Sequence, residues 1–214
     1  MITPRLLPQM LTAIVAVIEN NAEEVTQLDQ VIGDGDHVTN LQRGLQALVL
    51  QQDEISLLDW PKAWQKIGMT LMSSVGGASG SLYATLFMAL SKASTGSDIS
   101  LASFATAFAE AVEAVKKRGK SEAGEKTLLD VYVPVADYLL SVANQSLELN
   151  SVLTEVSEVA IKGMEATRDM LATKGRASFL EARSLGHIDA GAKTAQLMIS
   201  SIVEVLTKAL ATPA

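Results

Sequence analysis

Asp29, Asp34 and Asp36 stand with His37 and Asn40 inside one twelve-residue stretch, Asp29-Gln-Val-Ile-Gly-Asp34-Gly-Asp36-His37-Val-Thr-Asn40. Carboxylates held this close repel one another, so the fold needs a reason to gather them. A hard divalent cation supplies one, because Mg²⁺ and Ca²⁺ take oxygen ligands and neutralise the cluster. The plain alternative is a solvated acidic turn, since Asp and Gly are ordinary turn formers. Of two sharper motifs, one fails by spacing and the other stays only a minor alternative. An EF-hand loop wants a glutamate at its twelfth position, and counting from Asp34 that position is Leu45. Asp34-Gly-Asp36-His-Val38 spells the D-x-D-x-[TV] of haloacid dehalogenase-type phosphatases, but that loop closes a buried parallel strand. Here only Val31-Ile32 precede it and no β-α alternation follows.

Three other stretches carry unusual residues. Ser74-Val-Gly-Gly-Ala-Ser-Gly80 before a helix has the physics of a phosphate cradle: glycines let backbone amides face an anion, and the helix N-terminus adds partial positive charge. A close helix crossing that needs small residues explains it equally well. Gly119 to Thr127 nearly spells a Walker A loop, but Glu125 is inserted before Lys126-Thr127 and a helix precedes it instead of a strand. In 174–191, Lys174, Arg176 and Arg183 could hold a phosphate, or could pair with Glu181 and Asp189 on the surface. The only two histidines, His37 and His187, lie within these stretches. Nucleotide phosphates with Mg²⁺ would explain all four together.

The elements between them read as helices. Apolar residues at helical spacing follow Pro4 and Pro8 as far as about Asn21, and a short helix from Glu23 delivers Asp29 at its end. Further helices are predicted over 38–50, from Ser56 as cap to about 72, and over 82–92. After a loop at 95–98, Ser100 caps a helix that ends at the basic run before Gly119. Three more span 127–145, with Pro134 as a kink, then 151–173 and 192–209. Roughly eight helices result, with no run that demands a strand, so the expected fold is all-α: a single-domain antiparallel bundle or barrel over 1–214. Alternate loops of such a bundle fall at one end, which permits the four stretches to meet.

Composition narrows the classes. Apolar residues make up 48% and aromatics 4% of the 214 residues, which suits a helix-packed core of small aliphatics. A net charge of −7 argues against general nucleic-acid binding. The absence of cysteine excludes disulfides, thiolate metal sites and cysteine nucleophiles. The start Met-Ile-Thr-Pro-Arg lacks a secretion signal's pattern, and no uninterrupted apolar run approaches the ~20 residues of a membrane span. A cytoplasmic protein is expected.

Taken in order, Asp29-x4-Asp34-Gly-Asp36-His37-x-x-Asn40, Ser74-Val-Gly-Gly-Ala-Ser-Gly80, Gly124-Glu-Lys-Thr127, Lys174-Gly-Arg-Ala-Ser178 and Arg183-Ser-Leu-Gly-His-Ile-Asp-Ala-Gly191 resemble the successive motifs of the nucleotide-binding L subunit of dihydroxyacetone kinase. Order, spacing and length agree over essentially the whole chain. The resemblance implies an all-helical barrel that holds ADP, or ATP, and two Mg²⁺ ions at one end. It implies Asp29, Asp34 and Asp36 as metal ligands. It implies nucleotide contacts from His37, Val38, Thr39 and Asn40, from Gly77, Ala78 and Ser79, from Gly119, Thr127 and Leu128, and from Arg176, Asp189, Ala190 and Gly191.

It further implies a subunit of a phosphotransferase in which no side chain of this chain acts as nucleophile. A phosphohistidine on a partner M subunit would rephosphorylate the bound ADP, and the phosphoryl group would pass to dihydroxyacetone on a partner K subunit. A homodimer is a further possible assembly. The chain departs from the family where Glu125 replaces an aspartate, Ala190 a proline, Gly35 an alanine and Val38 a smaller residue. None removes a metal ligand. The alternatives are a subunit of a kinase with exchanging ATP that acts on another small ketose, and a non-catalytic nucleotide-sensing module.

Overall fold

Among the described residues, eight long helices pack in sequence until the last meets the first, and the ring so formed decides where the loops go. The computed structural model describes residues 2–96 and 98–211. The ring runs α1 (Leu7–Asn20), α3 (His37–Val49), α5 (Trp60–Ser74), α6 (Gly77–Ala93), α7 (Leu101–Gly119), α8 (Leu129–Val142), α9 (Leu149–Ala166) and α10 (Ala190–Ala211), and α10 packs back against α1. Two shorter helices, α2 (Ala22–Ile32) and α4 (Gln52–Ser56), sit in the connections, as do 3₁₀ segments at Pro4–Leu6, Thr167–Asp169 and Arg176–Ser184. No strand occurs among the described residues. The expected all-α barrel of about eight helices is the observed architecture.

Successive ring helices reverse direction. The end of α2 and the start of α3, the α5–α6 turn, the α7–α8 loop and the long α9–α10 connection therefore come to one end. Their mutual hydrogen bonds and ion pairs, given below, show that they touch. The interior is filled by small aliphatic side chains, with Ile18, Val25, Val115, Val131 and Val152 almost wholly buried. The few aromatics are strung together: Trp60, Trp64, Phe104, Phe108 and Tyr132 stack or meet edge-on, with centroids 5.2–6.3 Å apart.

Several helix ends differ from expectation, each for a local reason. Asp59, not Ser56, caps α5: its carboxylate accepts the Lys62 N–H at 2.9 Å, while Ser56 ends the separate α4. Helix α6 starts at Gly77 and so takes in the small-residue run. Ser100 caps α7 as expected, in a reciprocal capping box with Ser103.

Helix α8 is shorter than predicted, and Pro134 lies inside it. A proline has no N–H for the carbonyl four residues back, which is Asp130 O. Gly163 of α9 packs on that carbonyl so closely that a Cβ would overlap it. Helix α9 stops at Ala166 rather than near 173, because Ala172 is needed elsewhere: it joins Ile32 and Ala177 in a small second core beneath the 170–185 segment.

Of the predicted loop at 95–98, residue 97 lies outside the described residues. Helix α10 is long and apolar enough by composition to cross a membrane. Part of its apolar face packs on α1, α2, α8 and α9, and it carries Lys193, Glu204 and Lys208.

Candidate functional site

Asp29 lies in the last turn of α2, and Asp34 and Asp36 in the turn that leads to α3. Each offers a carboxylate oxygen within 4.8 Å of the others, with Asp34 and Asp36 exposed and Asp29 half-buried. The turn is built for this approach. Gly35 has φ +76°, a conformation that side chains resist, and an added Cβ at Gly33 would overlap Asp29 Oδ1. The alanine expected at position 35 from the resemblance would be strained here.

Asp36 occupies the N-cap position of α3, where an aspartate normally caps, yet its side chain makes no cap bond. The His37 N–H is instead taken by Asp29 Oδ2 at 3.1 Å. Asp29 is thereby fixed and Asp36 is left with its oxygens free. Hard oxygen donors at this spacing fit Mg²⁺ or Ca²⁺, and among the described residues no cysteine or second histidine competes for a softer ion.

The cradle at 74–80 faces this cluster through α3. Arg43 Nε donates to Ser74 O at 2.8 Å, and its guanidinium also bonds the Asn40 carbonyl oxygen. A Cβ at Gly76 would stand 2.6 Å from Asn40 Oδ1, and one at Gly77 3.7 Å from Asn40 Nδ2. Asn40 therefore spans from α3 to the start of α6. The N-cap of α6 is Gly76, with no side chain bound to the first-turn amides, and Gly77 (φ +70°) and Ala78 are exposed. Uncapped N–H groups at an open helix start suit an anion.

The other two stretches interlock. Asp130 is buried, and its carboxylate accepts the Gly124 N–H at 2.5 Å and the Thr127 N–H at 2.7 Å. Thr127 Oγ1 accepts from Leu129 N–H at the start of α8. Glu125 accepts from Glu122 N–H and Thr173 Oγ1, at 2.8 and 2.9 Å, and pairs with Lys174 at 3.7 Å. Lys126, the lysine of the near Walker A motif, turns inward and donates to the backbone carbonyls of Thr167 and His187.

At the start of α10, Asp189 accepts the Ala192 N–H at 2.7 Å, and Gly191 lies against Leu128. Burial pushes the Asp189 carboxyl up to about 7, helped by the charges of Asp130 and Asp29 and opposed by the Ala192 bond and by Lys126. His37 Nε2 meets Thr194 Oγ1 at 2.9 Å, with Tyr83 Oη 3.3 Å from the same hydroxyl. Burial lowers the His37 pKa against the pull of Asp29, Asp36 and Asp34.

Most predicted residues thus meet at one end. Asp29, Asp34, Asp36, Asn40 and the 76–79 turn lie along α3, and Arg176 reaches over to pair with Asp34 at 3.0 Å. Gly191 lies against Leu128 and Asp189 at the start of α10, with Ala190 beside it, and Gly119 at the end of α7 lies near Leu82. Thr39 is exposed, but Val38 is turned into the core, which leaves only its backbone for a ligand. Surface pairing of the 174–191 cations with Glu181 and Asp189 does not occur. Lys174 and Arg176 pair with Glu125 and Asp34 instead.

Thr194, Tyr83, Arg43, Thr167 and Asp130 were not singled out from the sequence. Only Asp130 left a signal, as a lone carboxylate within the apolar run Leu128-Leu129-Asp130-Val131.

A sequence profile described as "DAK2 domain" matches residues 31–204. The chain belongs to the DAK2-domain family. It is 38% identical over 187 residues to the "PEP-dependent dihydroxyacetone kinase 1, ADP-binding subunit DhaL" of Listeria innocua serovar 6a, covering 87% of this chain and 89% of that protein. Its identity to the "PEP-dependent dihydroxyacetone kinase, ADP-binding subunit DhaL" of Escherichia coli is 37%, with the same coverage. Among solved structures, the dihydroxyacetone kinase of C. freundii in complex with AMP-PNP and Mg²⁺ superposes with a TM-score of 0.70 at 21% identity, over 93% of this chain and 33% of that one. At that identity the likeness is one of fold. The DAK2 match begins at Val31, so it takes in Asp34 and Asp36 and leaves Asp29 just before it.

Proposed function

We propose that this DAK2 chain is the Mg-nucleotide-binding subunit of a dihydroxyacetone kinase, with 1–214 acting as one nucleotide-binding domain in the cytoplasm. The observation that carries the reading is the convergence of three carboxylates and two helix starts, those of α3 and α6, at one end of the barrel. The relatives named as ADP-binding DhaL subunits support the identity of the nucleotide.

In this reading Asp29, Asp34 and Asp36 would hold two Mg²⁺ ions, which would supply charge neutralisation for the nucleotide phosphates. The amides of Gly77, Ala78 and Ser79 take phosphate oxygens, and Asn40 orients that turn from α3. His37 to Thr39 line the phosphate side through backbone and polar groups. Gly119, Thr127, Leu128, Ala190 and Gly191 form the nucleoside side, and Asp189 keeps the start of α10 in place. Arg176 closes over the phosphates. The chain's own contribution is positioning and electrostatics, with no nucleophile of its own.

The phosphoryl group would come from a phosphohistidine on an M-type partner and leave to dihydroxyacetone on a K-type partner; a homodimer of this chain is compatible with either exchange. Native mass spectrometry of the desalted protein tests the cofactor role: one retained ADP per chain is expected. An empty chain, with phosphate transfer to the ketone only from free ATP, would contradict it.

A further inference from the structure

Lys126 is 1% exposed, and a lysine is so deeply buried only when its ammonium is fully engaged. Its Nζ donates to Thr167 O, where α9 gives way to the 3₁₀ turn, and to His187 O, just before α10. Asp189, Asp169 and Asp130 surround it with negative charge, while Arg168 opposes it. To reach this position its backbone adopts φ +62°, a conformation that non-glycine residues resist.

Thr167 is also held from its side chain: its Oγ1 accepts the Asp189 N–H at 3.1 Å. Gly186 N–H bonds Arg168 O at 2.8 Å, and Ala172 N–H bonds Ser184 Oγ at 3.0 Å. Among the described residues, Lys126 is thus the one side chain that reaches from the α7–α8 loop into both ends of the α9–α10 connection. That connection carries Arg176, Asp189, Ala190 and Gly191, and the loop carries Thr127 and Leu128.

We infer that Lys126 is a positioning residue for the nucleotide: it holds the 124–128 loop and the 167–191 connection as one body and so sets how long a nucleoside diphosphate stays bound. The inference rests on the proposed nucleotide site. In a Walker A loop the lysine would reach the phosphates, whereas here two backbone carbonyls use it up. A neutral side chain of the same length would leave both carbonyls buried without a donor and free the two walls to move apart.

The chain has no cysteine, so K126C can be alkylated at a single place with 2-bromoethylamine in denaturant and refolded, which restores an ammonium at nearly the original reach. The wild-type chain, K126M and the aminoethylated K126C are compared by thermal unfolding and by the release rate of a fluorescent ADP analogue in Mg²⁺. Loss of bonds to a charged donor should speed release by about tenfold or more in K126M, with aminoethylation restoring a rate near the wild type's. Wild-type release from K126M, or failure of the folded aminoethylated chain to slow release, would overturn the inference.

A wild-type chain that binds no analogue at all would overturn the nucleotide site itself. Where K126M does not fold, hydrogen exchange on the wild type decides. ADP should slow exchange at Gly124, Thr173 and Gly186 together, and protection confined to residues 34–40 and 77–80 would overturn the inference.

Discussion

Arg176 Nε lies 3.0 Å from Asp34 Oδ2, so a side chain of the α9–α10 connection is paired with one of the three carboxylates offered to a metal. The pair is solvent-exposed on both sides, which makes it weak by itself, on the order of 0.2–1 kcal/mol. Its importance lies in the competition it sets up. A cation on Asp34 offsets the negative charge that holds the guanidinium, and an arginine released from Asp34 is free to meet phosphate.

Removing the guanidinium should therefore have opposite effects on metal and on Mg-nucleotide. For Arg176→Gln, titration with Mg²⁺ alone should show tighter binding, up to about fivefold. Titration with Mg-ADP should show weaker binding by about tenfold, as expected for the loss of a charge-assisted bond. Calorimetry reads both. Equal weakening of the two would mean that Arg176 supports the acidic turn rather than competing for it.

Gly33 gives a purely steric test of the same turn. A methyl at this position overlaps Asp29 Oδ1, so Gly33→Ala must push Asp29 away or open the end of α2. Overpacking of this kind costs about 1–3 kcal/mol. The expected result is a lowered melting temperature together with loss of Mg²⁺ binding, read by calorimetry. Gly35→Ala should act through its positive φ instead, with a smaller loss of stability.

Asp189 gives a pH dependence with a definite sign. Its carboxyl is raised from 3.8 to about 7, so the folded chain binds this proton more tightly than the unfolded chain does. The stabilisation from this group is complete below about 4 and is lost as the pH rises through about 7. Asparagine keeps an oxygen for the Ala192 N–H and has no charge to bury. Thermal melts of the nucleotide-free Asp189→Asn chain should fall less steeply between pH 4 and 7 than those of the wild type. Parallel curves would show that Asp189 does not titrate in this range.

Gly163 ties the site to the barrel. It sits on Asp130 O, and the Asp130 carboxylate holds the amides of Gly124 and Thr127. Gly163→Ala should destabilise the chain by about 1–3 kcal/mol in denaturant unfolding and should also weaken ADP binding. A chain destabilised with unchanged ADP affinity would separate the α8–α9 contact from the site.

What the sequence made legible was the helical period, the acidic cluster and the small-residue turn, all of which are local signals. Asp29, Asp34 and Asp36 could be picked out because their mutual repulsion is visible in one dimension. The ring closure of α10 on α1 could not, since it depends on which apolar faces meet. The end of α9 was misplaced for the same reason: Met170, Leu171 and Ala172 continue a helical apolar pattern, but Ala172 serves a second small core with Ile32 and Ala177. Thr194 reaches His37 from 157 residues further along the chain, and Tyr83 meets that same Thr194 hydroxyl from α6; each is an unremarked residue of an apolar helix face. Lys126 was visible as part of a near motif, and only the fold shows that it points at carbonyls rather than at a ligand.

The central claim is that the three aspartates bind nucleotide through Mg²⁺. Calorimetric titration of ADP into the wild-type chain, Asp34→Ala and Asp36→Ala, each with Mg²⁺ and with a chelator, tests it most directly. The expected result is binding by the wild type that disappears with the chelator, and none by either variant although both remain folded. ADP bound with unchanged affinity by Asp34→Ala or Asp36→Ala would contradict the assignment.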